Sequence, residues 1–328
     1  MAGAGLRASI VERFGDPSGL RGRLTEDRPL APLSWLRVGG AAELFFQPAD
    51  REDLAAFLQG LPGDVTVTPL GVCSNLIIRD GGLPGVSLRL GRAFASVEPL
   101  PGARLRVGAG ALDSAVAKRA ADAGIAGLEF LRTIPGSIGG AVKMNAGCYG
   151  SYTADVVERV TVMDRSGQVE ELEPEALGFG YRHSAVPDDH VVLEAVLRGV
   201  PGDPAEITAR MEGLVSKRAA SQPVDQRSCG STFRNPAGYS STGVEGDPMD
   251  LKAWKLIEEA GCRGMRLGGA QISEKHANFL VNAGGATAAD LEDLGDAVRA
   301  RVKAHSGHDL VWEIARIGVK LHNTVDTR

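Results

Sequence analysis

Three glycine-rich stretches carry the residue types that hold phosphates. Gly71, Val72, Cys73, Ser74 and Asn75 form a tight loop between two short apolar runs. Exposed backbone N–H groups there, with the Ser74 hydroxyl and the Asn75 amide, suit a diphosphate. Ile134, Pro135, Gly136, Ser137, Gly139, Gly140 and Ala141 make a second stretch, with Asn145 and Gly147 just beyond it. Gly268, Gly269 and Ala270 make a third, ahead of Gln271. None spells G-x-x-x-x-G-K-[ST], and Gly136, Gly139 and Gly140 miss the G-x-G-x-x-G spacing, so neither a P-loop nor a Rossmann turn is indicated. Each loop alone reads first as a structural turn. Their density points to a nucleotide or a flavin.

Three polar groups sit in apolar or glycine-rich surroundings. Arg182 lies between Tyr181 and His183 after Phe179 and Gly180, where it either stacks and caps or meets a ligand. Ser231 stands among Ser228, Cys229, Gly230 and Thr232, but no G-x-S-x-G frames it as a nucleophile. Nothing near Cys229 in sequence lowers its pKa. Glu313, within Val311-Trp312-Glu313-Ile314, reads by pattern alone as the solvent face of an alternating strand.

The elements that position these groups follow from periodicity. Apolar runs at 65–68, 76–78 and 86–88 are strands, and 50–59 is a helix with Leu54, Phe57 and Leu58 on one face. Further on come a strand at 104–107, a helix with Leu112, Val116 and Ala120 at i, i+4 spacing, and strands at 156–162, 168–172 and 191–197. Ser166-Gly167 suits the hairpin turn between the first two of those last strands. From Pro204, Ile207, Met211, Leu214 and Val215 mark a helical stripe ending in Lys217 and Arg218, which favour the negative end of the helix dipole. Helices are expected at 250–260 and 288–304, with a strand at 279–281 between them. Thr287 is the N-cap of the last helix, and Leu291, Leu294, Val298 and Val302 line its core face. A polar, glycine-rich loop spans 237–248. Short mixed elements with many loops mean α+β rather than a regular βαβ array.

Composition narrows the function. A chain of 328 residues with 43% hydrophobic residues can bury a sizeable core in two or three packed units. Its net charge of −5 argues against nucleic acid as a partner, because phosphate-backbone binding needs a basic face. No run of about 18 apolar residues exists to span a membrane. Residues 1–14 lack the apolar stretch of a signal peptide and read as a polar helix or frayed tail. Cys73, Cys148, Cys229 and Cys262 lie far apart with no C-x-x-C, and the 6 histidines form no ligand pair. A cytoplasmic, metal-free protein is expected.

Taken together, the motifs resemble one family. Leu70-Gly71-Val72-Cys73-Ser74-Asn75-Leu76, Ile134-Pro135-Gly136-Ser137-Ile138-Gly139-Gly140-Ala141, Asn145-Ala146-Gly147, Gly180-Tyr181-Arg182, Cys229-Gly230-Ser231, Asn235-Pro236, Lys275-His276-Ala277-Asn278-Phe279 and Glu313-Ile314 occur in that order. The chain is identified over 33–318 as similar to the UDP-N-acetylenolpyruvoylglucosamine reductase (UDP-N-acetylmuramate dehydrogenase) family of peptidoglycan precursor synthesis, in its shorter form without the inserted tyrosine loop. Each motif is modest; their joint order is specific.

The resemblance implies an α+β fold, in which a two-lobed FAD-binding domain of the p-cresol-methylhydroxylase type precedes a smaller α/β substrate-binding domain. On it, 1–32 is an N-terminal segment, 33–202 holds FAD in lobes at 33–92 and 93–202, 203–305 binds substrate, and 306–328 carries Glu313. FAD would lie between the 71–75 and 134–141 loops, with Asn145 and Gly147 nearby. The first histidine is His183, so a non-covalent flavin is expected. NADPH is the implied electron donor and a nucleotide sugar the implied substrate; separately, a monomer is expected, with no nucleic-acid or membrane partner.

Arg182 would stabilise an enolate-like state, Ser231 would donate the proton, and Glu313 would be the third catalytic residue, protonated or paired with a cation. Tyr181, Asn235, Gln271, Lys275, His276 and Asn278 would line the substrate or NADPH pocket. One departure stands out: Cys73 occupies a position that is usually glycine in the family, and would be strained if φ is positive there. The 237–248 loop is a partial lid or a surface loop. Two other readings remain: a flavin oxidase of the same superfamily acting on a sugar alcohol or hydroxy acid, and a non-catalytic nucleotide-sugar or flavin-binding regulator.

Overall fold

The computed structural model describes residues 19–240 and 251–321. The N-terminal helix or tail expected at 1–14 and most of the 237–248 loop lie outside them.

The first sheet is built from β1 (Arg23–Pro29), β2 (Ala41–Gln47), β3 (Val67–Pro69) and β5 (Leu83–Leu88), in the order β1-β2-β5-β3. β2, β5 and β3 run parallel, and β1 adds an antiparallel edge. Helix α1 (Arg51–Gly60) starts at Asp50, whose carboxylate accepts from the Asp53 N–H. It buries Leu54, Phe57 and Leu58 as expected, and Phe57 stacks on Phe46 with ring centroids 3.9 Å apart. β4 (Leu76–Ile78) leaves this sheet and instead pairs with the end of the chain.

The second sheet has the order β12-β11-β13-β7-β6 and is wholly antiparallel. Its strands are β6 (Val97–Leu100), β7 (Arg104–Gly108), β11 (Val157–Met163), β12 (Val169–Leu172) and β13 (Val191–Arg198). Small pairs β8 (Ile125–Ala126) with β14 (Val200–Pro201), and β9 (Gly147–Cys148) with β10 (Ser151–Tyr152), flank it. Helices α2 (Asp113–Asp122) and α4 (Pro204–Ser221) share one core with this sheet, through Val107, Val116, Val160, Ala195, Ile207 and Met211. Helix α3 (Ile138–Lys143) follows the second glycine-rich stretch.

Two stripes differ from expectation. Leu112 is the N-cap of α2 and half exposed, and burial falls instead on Val116, Ala117, Ala120 and Ala121. On α4 only Ile207 and Met211 are buried; Val215 is exposed, because the second half of the helix runs past the edge of its support.

The third sheet is β15 (Ser228–Ser231), β18 (Phe279–Asn282), β17 (Ala270–Ile272) and β16 (Arg266–Leu267), in that order and antiparallel. It packs on α5 (Ala253–Glu259) and α6 (Ala288–Ser306). Leu291, Leu294, Val298 and Val302 of α6 are buried, and Thr287 caps it in a reciprocal box with Asp290.

The ends of the chain tie this unit to the first lobe. β19 (Ala315–Ile317) runs parallel to β4 in register Ala315↔Leu76. Asp80, next to β4, accepts the Ala288 and Ala289 N–H groups at the start of α6, and Arg79 pairs with the buried Glu292 at 2.7 Å. Glu313 therefore does not lie within a strand. It precedes β19 and its side chain is only 9% exposed, so the solvent-facing reading fails: Asn75, just before β4, and Thr232, just after β15, bond to the two sides of its backbone.

Candidate functional site

A cavity of about 1740 Å³ runs between the three units, and the sequence motifs converge on it. Gly71, Val72, Cys73, Ser74 and Asn75 line it on one side, and Ile134, Pro135, Gly136, Ser137, Gly139, Gly140 and Ala141 on another. The Leu70 N–H still goes to Leu88, but those of Gly71 to Asn75 make no hydrogen bond among the described residues. Consecutive unspent N–H groups form a concavity for an anion. A Cβ on Gly71 would come 2.9 Å from Ser137 Oγ, so a side chain there would turn that hydroxyl aside. The lining suits a diphosphate-bearing cofactor.

Cys73 has φ of 53°, the left-handed conformation that its side chain disfavours. Two contacts hold it there: its side chain is buried among Leu30, Phe45 and Leu70, and its carbonyl accepts from the Cys229 thiol at 3.7 Å. Burial pushes the Cys73 thiol up to about 11 and that of Cys229 up to about 12, so both remain thiols at neutral pH.

Arg182 sits at the tip of a tight turn closed by paired bonds between Gly180 and His183, with φ of 56°. Asn145 Nδ2 braces the turn through the Gly180 carbonyl at 2.9 Å. Arg182 Nε donates to Glu313 Oε1 at 2.6 Å, and the two side chains are 14% and 9% exposed. The guanidinium also lies over the Tyr181 ring, 5.2 Å from its centroid. Its Nη1 is buried and has no hydrogen-bond partner among the described residues, which leaves a donor for a ligand. Burial raises the Glu313 carboxyl above its ordinary range, while Arg182 and Arg234 pull it back.

Ser231 ends β15, opposite Phe279, after an irregularity in register at the positive-φ residue Gly230. A bulge of this kind turns a side chain out of the sheet plane, and Ser231 lines the cavity that holds Arg182 and Glu313. Behind it, Asn278 uses both ends of its amide on Phe233, at 2.9 and 2.8 Å, and its carbonyl on the Thr232 N–H.

The pocket candidates divide. Tyr181, Asn235, Lys275, His276 and Asn278 line the cavity; Asn145 and Gln271 do not. The Asn145 amide is taken by Gly180 and Ala154, and the Gln271 amide is directed to Glu274. Asn235 is largely a brace, accepting from the Ala253 N–H and donating to the Tyr239 carbonyl. His276 Nδ1 accepts from the Asn278 N–H, and burial lowers its pKa to about 4, so the ring is neutral at pH 7. Tyr181 is pushed up to about 12, chiefly by burial, so it stays a phenol.

Sequence reading placed Lys275 in the pocket but missed the cationic rim to which it belongs. Lys217, Arg218, Arg263 and Lys275 line the cavity beside Tyr149 and Trp254. The Lys217-Arg218 pair had a sufficient local explanation at the end of α4, and Arg263 stands alone in sequence. Packing of α4 on the second unit, with Lys275 of the third unit reaching the Ala219 carbonyl in its last turn, brings them together.

Comparisons with known proteins agree with this layout. The profile described as "UDP-N-acetylenolpyruvoylglucosamine reductase, C-terminal domain" matches residues 222–317, and "FAD binding domain" matches 42–173. The UDP-N-acetylenolpyruvoylglucosamine reductase of Paracoccus denitrificans is 60% identical over 298 residues, covering 91% of this chain and 97% of that one. Its counterpart in Parvibaculum lavamentivorans is 51% identical over 320 residues, 98% of each chain. The crystal structure of UDP-N-acetylenolpyruvylglucosamine reductase from Thermus caldophilus superposes with a TM-score of 0.75 at 34% identity, over 91% of this chain and all of that one.

Proposed function

This chain belongs to the UDP-N-acetylenolpyruvoylglucosamine reductase family, and on that premise we propose how its own residues divide the work of reducing the enolpyruvyl ether of UDP-N-acetylglucosamine to the lactyl ether. The chain is an FAD-dependent oxidoreductase that takes its electrons from NADPH. FAD held between the 71–75 and 134–141 loops would supply the redox chemistry, passing hydride equivalents from NADPH to the enolpyruvyl ether. The residues present fit that cofactor: unspent N–H groups at 71–75 and the adjoining Ser137 hydroxyl would hold its diphosphate.

As hydride reaches the terminal carbon, negative charge builds on the neighbouring carbon and its attached carboxylate. Arg182 stabilises that charge, its fixed cation and unpaired Nη1 requiring no reorganisation. Glu313 holds the guanidinium in place through the Nε bond. Beside a substrate carboxylate the Glu313 charge is tolerated only while it is paired with Arg182 or protonated, and burial pushes it toward the protonated side. Ser231 Oγ then donates a proton to the basic carbon, a transfer that a high-pKa hydroxyl can make to a carbanionic centre. Lys217, Arg218, Arg263 and Lys275 would take the diphosphate of the nucleotide sugar. On the same reading 33–202 serves the flavin, 203–305 the nucleotide sugar, and the tail from 306 brings Glu313.

The observation that carries this reading is the buried Arg182–Glu313 pair in one cavity with Ser231. An anaerobic absorbance experiment tests it. NADPH should bleach the flavin band of the purified holoenzyme, and UDP-N-acetylglucosamine enolpyruvate should restore it. A flavin that recovers only with air would instead favour a flavin oxidase.

A further inference from the structure

The loop that faces the cofactor diphosphate is also bonded to the segment that carries Glu313. Asn75 Nδ2 donates to the Glu313 carbonyl at 3.1 Å, across 238 residues of chain. The Asn75 carbonyl in turn accepts from the Ala315 N–H at 3.0 Å. These two bonds continue the parallel pairing of β4 and β19 by one step toward the cavity. On its other side, the Glu313 N–H donates to the Thr232 carbonyl at 2.8 Å, one residue after Ser231. Both backbone polar groups of Glu313 are therefore fixed, one by the phosphate-facing loop and one by the strand of Ser231.

We propose that Asn75 is a positioning residue for the reaction, setting the Glu313 carboxylate against Arg182 rather than serving only as a phosphate ligand. Its amide nitrogen donates to Glu313 and to Met144 Sδ at 3.9 Å, and the backbone N–H groups of its loop are left for the anion. Fixing both sides of the Glu313 backbone fixes its Cα–Cβ direction, and the carboxylate then meets the Arg182 guanidinium at 2.6 Å. The inference rests on the reading of Glu313 as catalytic. A displaced carboxylate alters the aim of Arg182, and misplacement of a reacting group by about 1 Å is enough to cost on the order of 100-fold in rate.

Asn75→Asp is isosteric and replaces the donor by an acceptor facing the Glu313 carbonyl. Full-length enzyme saturated with FAD is compared as wild type, Asn75→Asp, Glu313→Gln and the double variant, with the two half-reactions followed separately by stopped-flow absorbance. Flavin content and circular dichroism establish that each variant is folded and loaded. Per bound flavin, Asn75→Asp should slow reoxidation by the enolpyruvyl sugar roughly 10- to 100-fold more than it slows reduction by NADPH. The double variant should reoxidise within about 2-fold of Glu313→Gln alone, because residues acting through one another are not additive.

Equal slowing by Asn75→Asp on both backgrounds would overturn the inference. So would normal reoxidation with nothing changed but FAD affinity. Wild-type reoxidation in Glu313→Gln would overturn the catalytic reading of Glu313 itself, and the positioning inference with it. Asn75→Ser, which keeps a small polar residue in the loop, repeats the comparison and guards against a loop lost outright.

Discussion

Arg182 and Glu313 lie 131 residues apart in the chain and meet at 2.6 Å in the wall of the cavity, with little of either side chain exposed. Neither partner is stable there alone, since a buried charge without its counterion costs several kcal/mol. Arg182→Met should destabilise the holoenzyme by about 3 kcal/mol at pH 7, and adding Glu313→Gln should recover most of that loss. Urea unfolding of the single and double variants measures both. A double variant no more stable than Arg182→Met would contradict the pairing.

Ser231 is expected to act only after hydride has moved. Ser231→Ala should leave bleaching by NADPH near normal and slow reoxidation by the enolpyruvyl sugar by about 100-fold or more. Stopped-flow traces of the two half-reactions give the answer, and equal slowing of both would remove Ser231 from the proton-donor role.

Asp113, at the first position of α2, is fully buried, and neither carboxylate oxygen has a hydrogen-bond partner among the described residues. Burial alone raises its pKa well above the ordinary value. Between the unfolded and folded pKa the native state holds one more proton than the unfolded chain, so this group makes stability fall as pH rises, by up to about 1.4 kcal/mol per pH unit. Asp113→Asn abolishes that contribution. The difference in unfolding free energy between variant and wild type should therefore move in favour of the variant from pH 4 upward. Denaturation curves across pH 4–8 test this, and a difference independent of pH would refute it.

Cys73 combines an unfavourable φ with a well-buried side chain. Relief of a left-handed non-glycine residue contributes about 1 kcal/mol, and loss of the buried thiol with greater unfolded-state freedom costs about as much. Cys73→Gly should thus change stability by less than about 1 kcal/mol and retain FAD. Cys73→Ala loses the thiol without relieving φ, so it should be the less stable of the two. Melting temperatures and flavin stoichiometry rank them; Ala above Gly would mean that φ is not the governing strain.

Gly295 of α6 lies under Trp312, the residue before Glu313. A Cβ there would overlap Cη2 and Cζ2 of the indole. Alanine gains about 1 kcal/mol of helix propensity, but overpacking of this kind typically costs about 1–3 kcal/mol. Overpacking wins. Gly295→Ala should lower the melting temperature and slow reoxidation as Trp312 carries Glu313 with it, and Trp312→Phe in the same chain should restore part of both. Unchanged kinetics would show that Trp312 does not set Glu313.

Local chemistry made much of this protein legible in its sequence. Thr287 with its reciprocal Asp290 and the stripe from Leu291 to Val302 specify α6 without outside help, because capping and 3.6-residue periodicity are properties of consecutive residues. The order of the glycine-rich loops and the Arg182, Ser231 and Glu313 segments likewise identified the family, and an uncomfortable Cys73 was visible as a non-glycine in a glycine position.

Other features depended on which segments meet. β1 is a polar edge strand with no alternation to betray it, and it exists by pairing with β2. Glu313 looked like a solvent-facing strand residue until Asn75 and Thr232 bonded to the two sides of its backbone. The Asn75 amide looked free for a ligand until the tail supplied a carbonyl 238 residues away. Lys217, Arg218, Arg263 and Lys275 share no local pattern and become one rim only through packing. Sequence by itself determined the elements whose stabilising contacts fall within a few residues, together with the family signature. Tertiary structure alone decided burial and partnership, because desolvation and hydrogen bonding depend on atoms that the chain brings together from its two ends.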